Sequence, residues 1–234
     1  MRQFINIFKK EFKSYFVSPI AYIVISVFLL VTGWFFFSTF FIYNQADLRN
    51  FFSLLPLIFA FIVPAITMRL FSEELNVGSY EVLMTMPVTF MDVIFGKFMA
   101  AAVFIGAMLV PTLSYPVFVS FIGQLDWGPV IGGYTGALFL GAAYSAIGLF
   151  ASSLTRNQII AFIIGVAVCF ALTLIDKMLF FFPGNIVTLL EYTGADFHFQ
   201  NISKGVIDSR DILYFISVIF ISLYGTKLVM QKKN

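Results

Sequence analysis

The sequence predicts an all-α integral membrane protein with six membrane-spanning helices. Of its 234 residues, 60% are hydrophobic and only 11% are charged, whereas a soluble domain usually has about 25% charged residues. Apolar runs close to the ~20 residues that a helix needs to cross a bilayer recur along the chain. These runs must be helical, because a backbone in lipid has to satisfy its own hydrogen bonds.

The predicted spans belong to one membrane domain that covers residues 1–234. They are residues 20–43, 51–70, 98–122, 131–154, 158–182 and 212–230. The first apolar run is much longer than the ~7–15 residues of a cleavable signal core, so we interpret it as a retained span. The segments outside the spans are too short for a soluble catalytic domain.

The first 17 residues predict an amphipathic helix that lies in the membrane interface. On a helical wheel, an apolar arc stands opposite a basic face. The arc contains Phe4, Ile5, Phe8, Phe12, Tyr15 and Phe16, and the basic face contains Arg2, Lys9, Lys10 and Lys13. Ile7 and Glu11 fit this pattern poorly. An interfacial helix has this character, although a cytoplasmic tail with anchoring charges would also fit. Pro19 predicts its end at Ser18, because a residue before proline avoids the helical region.

The positions of lysine and arginine predict that both termini are cytoplasmic. With the N-terminus inside, ten of these residues fall on the inner side and four on the outer side, as the positive-inside rule expects. The inner residues are Arg2, Lys9, Lys10, Lys13, Arg69, Lys97, Arg156, Lys227, Lys232 and Lys233. The outer residues are Arg49, Lys177, Lys204 and Arg210. Six spans also return the C-terminus to the inside.

Small residues recur at four-residue steps in the fourth predicted span. They are Gly133, Ala137, Gly141 and Ser145. Small side chains at this spacing let two helices approach closely. The pattern therefore predicts a tight helix contact, which could lie within one subunit or between two. Prolines inside the second and third spans predict kinks.

The sequence contains no recognisable catalytic, metal or nucleotide site. Gly96-Lys97 is followed by Phe98, whereas a phosphate-binding loop has serine or threonine there. The single histidine, His198, cannot build a His-rich metal site, and we expect it at the surface. The single cysteine, Cys169, lies in an apolar run and suits packing. The net charge of +2 argues against a nucleic-acid partner, and the absence of charge in the middle of the spans argues against a secondary carrier.

The stretch FSEELNVGSYEVLMTMPVTF, residues 71–90, is a long polar interruption on the predicted cytoplasmic side. Ser72 and Ser79 predict the starts of two short helices, which Gly78 separates. Glu73 and Glu74 in the first turn suit the positive end of the helix dipole. The two helices would present acidic and apolar sides, which suits a protein partner with a basic, partly apolar groove. A solvated loop is equally consistent with these residues.

A longer stretch, FSEELNVGSYEVLMTMPVTFMDVIFGKF, resembles the ABC-2 type transporter permeases. The shared pattern is an acidic pair, Gly-Ser/Thr-x-Glu, a leucine, a proline and a Gly-Lys that opens the next span. In that family this segment is the coupling helix, which docks into the ATP-binding subunit. The contact residues that the resemblance implies are Glu73, Glu74, Gly78, Ser79, Glu81, Leu83 and Pro87. Relatives often place basic residues after the acidic pair, where this chain has Leu75 and Asn76.

The resemblance extends over nearly the whole chain. FKSYFVSPIAYIVISVFLL and ALFLGAAYSAIGLFASSLTRNQIIAF are similar to stretches shared among ABC-2 permeases. FQNISKGVIDSRDILYF is similar to the permeases associated with gliding motility in Bacteroidetes-type bacteria. In this family the outer segment, residues 183–211 here, holds short helices that dip back into the outer leaflet. The apolar face of these helices would comprise Ile186, Leu189, Leu190, Phe197 and Ile202.

The resemblance implies a multi-pass permease subunit of an ABC exporter in the bacterial inner membrane, linked to gliding motility. It implies a separate ATP-binding subunit that holds ATP and Mg²⁺, so this chain would bind no cofactor and would not itself be an enzyme. A second permease copy, or a related permease, would complete the pathway within the lipid bilayer. Two alternatives are a membrane anchor or scaffold without transport, and a passive pore or secondary carrier.

Overall fold

The computed structural model describes residues 2–43, 47–80, 88–178, 191–206 and 208–233. These residues form α-helices and one short 3₁₀ helix, with no strand among them, which confirms the predicted all-α membrane fold. The helices are α1 Arg2–Val17, α2 Pro19–Tyr43, α3 Arg49–Thr67, α4 Arg69–Val77, α5 Phe90–Leu109, α6 Ser114–Ile122, α7 Trp127–Leu154, α8 Gln158–Met178, α9 Ala195–Ser203 and α10 Ser209–Lys233, and the 3₁₀ helix Val110–Leu113 joins α5 to α6.

Six helical segments of the described chain are long and apolar enough to cross a membrane. They are Pro19–Ile42, Arg49–Val77, Phe90–Ile122, Trp127–Leu154, Gln158–Met178 and Ser209–Lys233. Each overlaps one predicted span, and residues 179–182 of the fifth predicted span lie outside the described residues. The second and third segments contain 29 and 33 residues, more than the ~20 that cross a bilayer. Their extra length lies at the end of the bundle that carries α1 and α4, which we call the termini end.

Helix α7 lies at the centre of the bundle and is the most buried of the six spanning segments. Its small residues accommodate bulky side chains of neighbouring helices in the same chain. A Cβ atom at Gly133 would overlap with the ring of Phe52 on α3, and one at Gly141 would lie 2.7 Å from Ile105 on α5. Ala137 and Ser145 on the same face are completely buried. The predicted stripe of small residues therefore faces α3 and α5.

Helix α1 packs lengthwise along α5. Ile7 lies against Gly96, and the ring of Tyr15 stacks on that of Phe104 with 4.8 Å between the centroids. Because the contacts advance in the same direction along both helices, α1 and α5 are parallel neighbours. Ile7 and Glu11, which fit poorly on the amphipathic wheel, lie one turn apart on the face that meets α5. The helix ends at Val17, as Pro19 predicts.

Helix α4 is a continuation of the second spanning segment. The prediction that Ser72 caps a helix is wrong, because α4 begins at Arg69 and Ser72 lies inside it, where its hydroxyl donates to the carbonyl of Met68. The predicted break at Gly78 is present, since this residue has a left-handed conformation, φ 77°, that glycine adopts without strain. The predicted docking residues Glu81, Leu83 and Pro87 lie outside the described residues.

At the opposite end of the bundle, α9 packs against α3, α7, α8 and α10. The backbone carbonyl of Ile202 comes so close to Gly132 that a Cβ atom there would overlap with it. Of the apolar residues predicted for this outer segment, Ile202 is buried and Phe197 is half-buried. The other three, Ile186, Leu189 and Leu190, lie outside the described residues.

Candidate functional site

The first functional feature is a buried lysine at the termini end, which joins three helices. The Nζ atom of Lys97 on α5 lies 3.0 Å from a carboxylate oxygen of Glu11 on α1 and 2.7 Å from one of Glu74 on α4. It also lies 5.4 Å from the centroid of the Phe71 ring. Lys97 is 1% exposed, so its charge depends on these partners. We call these four residues the Lys97 cluster.

Glycine at position 96 lets α1 come close enough to form the cluster. A Cβ atom at Gly96 would lie 2.7 Å from a methyl group of Ile7 and 3.4 Å from the backbone nitrogen of Phe8. Glu11 follows Ile7 by one helical turn and therefore points to the same side of α1. The close contact at Gly96 thus brings the Glu11 carboxylate to the ammonium group of the adjacent Lys97.

A polar cavity of about 320 Å³ adjoins the Lys97 cluster. One carboxylate oxygen of Glu74 and the hydroxyl of Tyr15 are buried without a hydrogen-bond partner, and both residues line this cavity. Burial raises the pKa of Tyr15, so the phenol stays protonated. The guanidinium of Arg69 lies 5.4 Å from the centroid of the Tyr15 ring and lines the same cavity.

The predicted docking residues divide into a buried and an exposed group. Glu74 is half-buried and paired with Lys97. Glu73, Gly78 and Ser79 are exposed, and Glu73 and Ser79 line the mouth of the cavity together with Lys10. The two adjacent glutamates therefore differ in their surroundings: Glu74 is part of the internal cluster, and Glu73 is exposed.

Sequence reasoning missed the roles of Glu11 and Lys97. Lys97 was expected to be a charge at the start of the third span, but it lies inside α5 and is buried. Its partners are 86 and 23 residues away along the chain. The signal that could have revealed the cluster was the misfit of Ile7 and Glu11 on the wheel, because two misfits one turn apart indicate a second contact face.

A second polar site lies at the opposite end of the bundle. Nδ1 of His198 on α9 is 2.6 Å from a carboxylate oxygen of Asp211 on α10, and Nε2 is 3.0 Å from the carbonyl oxygen of Tyr192. The imidazole also stacks on the ring of Tyr214, with 4.1 Å between the centroids. The expectation of a surface position for His198 is wrong, since it is only 3% exposed. A carbonyl only accepts, so Nε2 carries a proton and donates it.

The described residues contain no group of three or more His, Cys, Asp or Glu side chains that could hold a metal ion. The two polar sites consist of buried, paired side chains between packed helices of a membrane domain. Residues 5–204 match the family model described as ABC-2 family transporter protein. A search of the curated proteins found no match.

The match covers most of the chain, and the protein belongs to the ABC-2 transporter family. It is a multi-pass membrane component of an ABC transporter, a class in which the ATPase is a separate subunit. The gliding-motility subgroup, the docking residues and the cofactor assignment remain predictions.

Proposed function

We propose that the chain is a permease subunit that couples ATP hydrolysis by a separate ATPase to substrate export. The observation that carries the proposal is the Lys97 cluster, in which one buried ammonium group holds α1, α4 and α5 together. A displacement of α4 is then transmitted to two further helices, because separating a buried ion pair costs about 3–5 kcal/mol.

The partner would dock at residues 71–90. Glu73 and Ser79 are exposed there, and the adjacent Val77 is 73% exposed. An acidic side chain beside an apolar one suits a basic, partly apolar groove on the partner. Glu81, Leu83 and Pro87 complete the proposed contact set. ATP and Mg²⁺ would bind to the ATPase, and this chain would need no cofactor of its own.

The proposed orientation places the termini end in the cytoplasm of a bacterial cell, with the six spans in the inner membrane. The excess of lysine and arginine at that end supports it, and so does the cytoplasmic location of ATP. A second permease copy or a related permease would complete the pathway. The outward direction of transport and a link to gliding motility rest on the resemblance of the sequence.

The proposal is tested by reconstituting the purified chain in liposomes with candidate ATPases encoded by neighbouring reading frames. We expect an ATPase to bind and its hydrolysis rate to change on assembly. Glu73→Lys should abolish this effect, because it places a cation against a basic groove. Gln231→Lys is the control, since it adds a positive charge at an exposed position of the same end on α10.

Two results would contradict the coupling role. If none of the candidate ATPases binds, the chain has no source of ATP hydrolysis to which it could couple. If an ATPase binds but a fluorescent lipid or amphiphile does not move across the liposome membrane in response to ATP, a scaffold function is favoured.

A further inference from the structure

The second spanning segment is divided at Met68, between α3 and α4. Met68 itself has helical backbone angles, φ −53° and ψ −32°. The chain therefore does not change direction through a loop at this point, and the interruption affects only the hydrogen bonds between successive turns of the helix. In an uninterrupted helix, the backbone N–H groups of Phe71 and Ser72 would donate to carbonyl oxygens four residues earlier. Here both groups donate to a side chain of α7.

That side chain is the hydroxyl of Ser152. Its Oγ atom accepts from the N–H groups of Phe71 at 2.9 Å and Ser72 at 3.0 Å, and it donates to the carbonyl oxygen of Met68 at 2.7 Å. A hydroxyl has one donor and two acceptor positions, so these three bonds use its full capacity. Ser152 is completely buried. A side chain inserted into the ladder is a known cause of helix bending.

Glycine at position 148 makes the insertion possible. It lies one turn before Ser152 on α7, and a Cβ atom there would overlap with the side chain of Thr67, the last residue of α3. Because Gly148 has no side chain, α7 approaches α3 closely enough for the Ser152 hydroxyl to reach its backbone.

We propose that Ser152 is a positioning residue that sets the angle between α3 and α4, and thereby the orientation of the docking segment. The inference rests on the proposed coupling function. In the alternative arrangement, the N–H groups of Phe71 and Ser72 donate to the carbonyls four residues earlier. The hydroxyl of Ser152 then donates to the carbonyl of Gly148, as serine in a helix commonly does to the residue four positions before it.

In both arrangements the N–H groups of Phe71 and Ser72 and the hydroxyl of Ser152 have hydrogen-bond partners, so a modest force from a partner can shift the balance between them. The change in angle reaches the rest of the bundle through Glu74, which α4 holds against Lys97. Helix α7 thus takes part in coupling through the buried hydroxyl of Ser152, which contacts the backbone at the start of the docking segment.

The angle can be measured as a distance between spin labels by double electron–electron resonance, with the buried Cys169 replaced by alanine. One label replaces the exposed Val77 at the end of α4, and the other replaces the exposed Gln231 on α10. The second position is fixed relative to α7, because the Nζ atom of Lys233 donates to the carbonyl oxygen of Ser153 at 2.7 Å. Helix α4 is about 13 Å long, so a change of about 20° in its angle to α3 would move its end by roughly 4 Å.

Ser152→Ala should shift the distance distribution by about this amount, because it removes the inserted hydroxyl and returns both N–H groups to the ladder. Ser152→Thr retains the hydroxyl and should preserve the original distribution. Ser153→Ala is the matched control, since Ser153 is equally buried and its hydroxyl donates only to the carbonyl of Phe150 in its own helix. It should leave the distribution unchanged.

An unchanged distribution in Ser152→Ala, or an equal shift in Ser153→Ala, would overturn the inference. Stimulation of the ATPase, measured in parallel, separates this inference from the proposed function. A distance shift in Ser152→Ala, with stimulation insensitive to Glu73→Lys, supports the role of Ser152 and contradicts coupling at the docking segment. Stimulation lost in Glu73→Lys, with no distance shift in Ser152→Ala, supports coupling and rejects the role of Ser152.

Discussion

Two lysines at opposite ends of the molecule form ion pairs of nearly the same length in different surroundings. Lys97 lies 2.7 and 3.0 Å from its two carboxylate partners, and Lys177 on α8 lies 3.2 Å from Asp196 on α9. The side chain of Lys97 is 1% exposed, whereas that of Lys177 is 52% exposed although its partner Asp196 is buried, at 4%. Distance therefore does not distinguish the two lysines. Burial does, because water can solvate the ammonium group of Lys177 when its partner is lost, and it cannot solvate that of Lys97.

The largest effect is expected from Lys97→Met, which leaves the carboxylates of Glu11 and Glu74 near each other without a cation. We expect a loss of about 3–5 kcal/mol of stability, seen as a larger drop in thermal unfolding midpoint than that of any other single variant proposed below. Combining it with Glu11→Gln and Glu74→Gln should recover much of the loss, because the cluster is then neutral. A midpoint close to that of the unmodified protein would show that Lys97 carries no buried charge.

The next effect concerns the buried pair at the opposite end. His198→Phe keeps a ring against Tyr214 but removes the side-chain partner of Asp211. The second carboxylate oxygen of Asp211 already lacks a hydrogen-bond partner. We expect a loss of about 2–3 kcal/mol, measured by the same melting assay. His198→Phe combined with Asp211→Leu should be more stable than His198→Phe alone. If the single and the double variant have the same thermal midpoint, the His198–Asp211 pair does not stabilise the contact between α9 and α10.

A smaller effect is expected from Gly96→Ala, which places a methyl group against Ile7. The overlap should cost about 1–3 kcal/mol, because α1 must move away from α5. Ile7→Ala in the same chain should remove the overlap, so that the double variant loses less stability than the sum of the two single variants. Strict additivity would indicate that α1 does not pack against Gly96.

The smallest effect is expected from Asp196→Asn, which removes the carboxylate partner of the half-exposed Lys177. Water can solvate the ammonium group that remains, so the cost should not exceed about 1 kcal/mol. The thermal midpoint of this variant should stay within about 2–4 °C of that of the unmodified protein, since a chain of this size shifts little for such a change. A drop as large as that of Lys97→Met would remove the distinction between the two lysines.

The prediction of the α4 boundary failed for a reason that lies in another helix. Serine followed by two glutamates is a common start of a helix, and Ser72 fits that pattern. In the structure α4 begins at Arg69, and the N–H groups of Phe71 and Ser72 in its first turn donate to the Ser152 hydroxyl of α7. The signal in the sequence was the small-residue stripe of α7, which continues at three- and four-residue steps to Gly148 and Ser152.

The helical membrane class, the six spans, the end of α1 before Pro19 and the break at Gly78 could all be predicted from the order of the amino acids. These features depend on local chemistry: lipid requires backbone hydrogen bonds within each helix, proline restricts the residue before it, and glycine tolerates the left-handed conformation. Which charged and polar residues are buried, and with which partners, depends on how the helices pack together. The free energy of burying the polar group of Lys97, His198 or Ser152 depends on partners that packing brings from distant parts of the chain. A local sequence pattern carries no information on those partners.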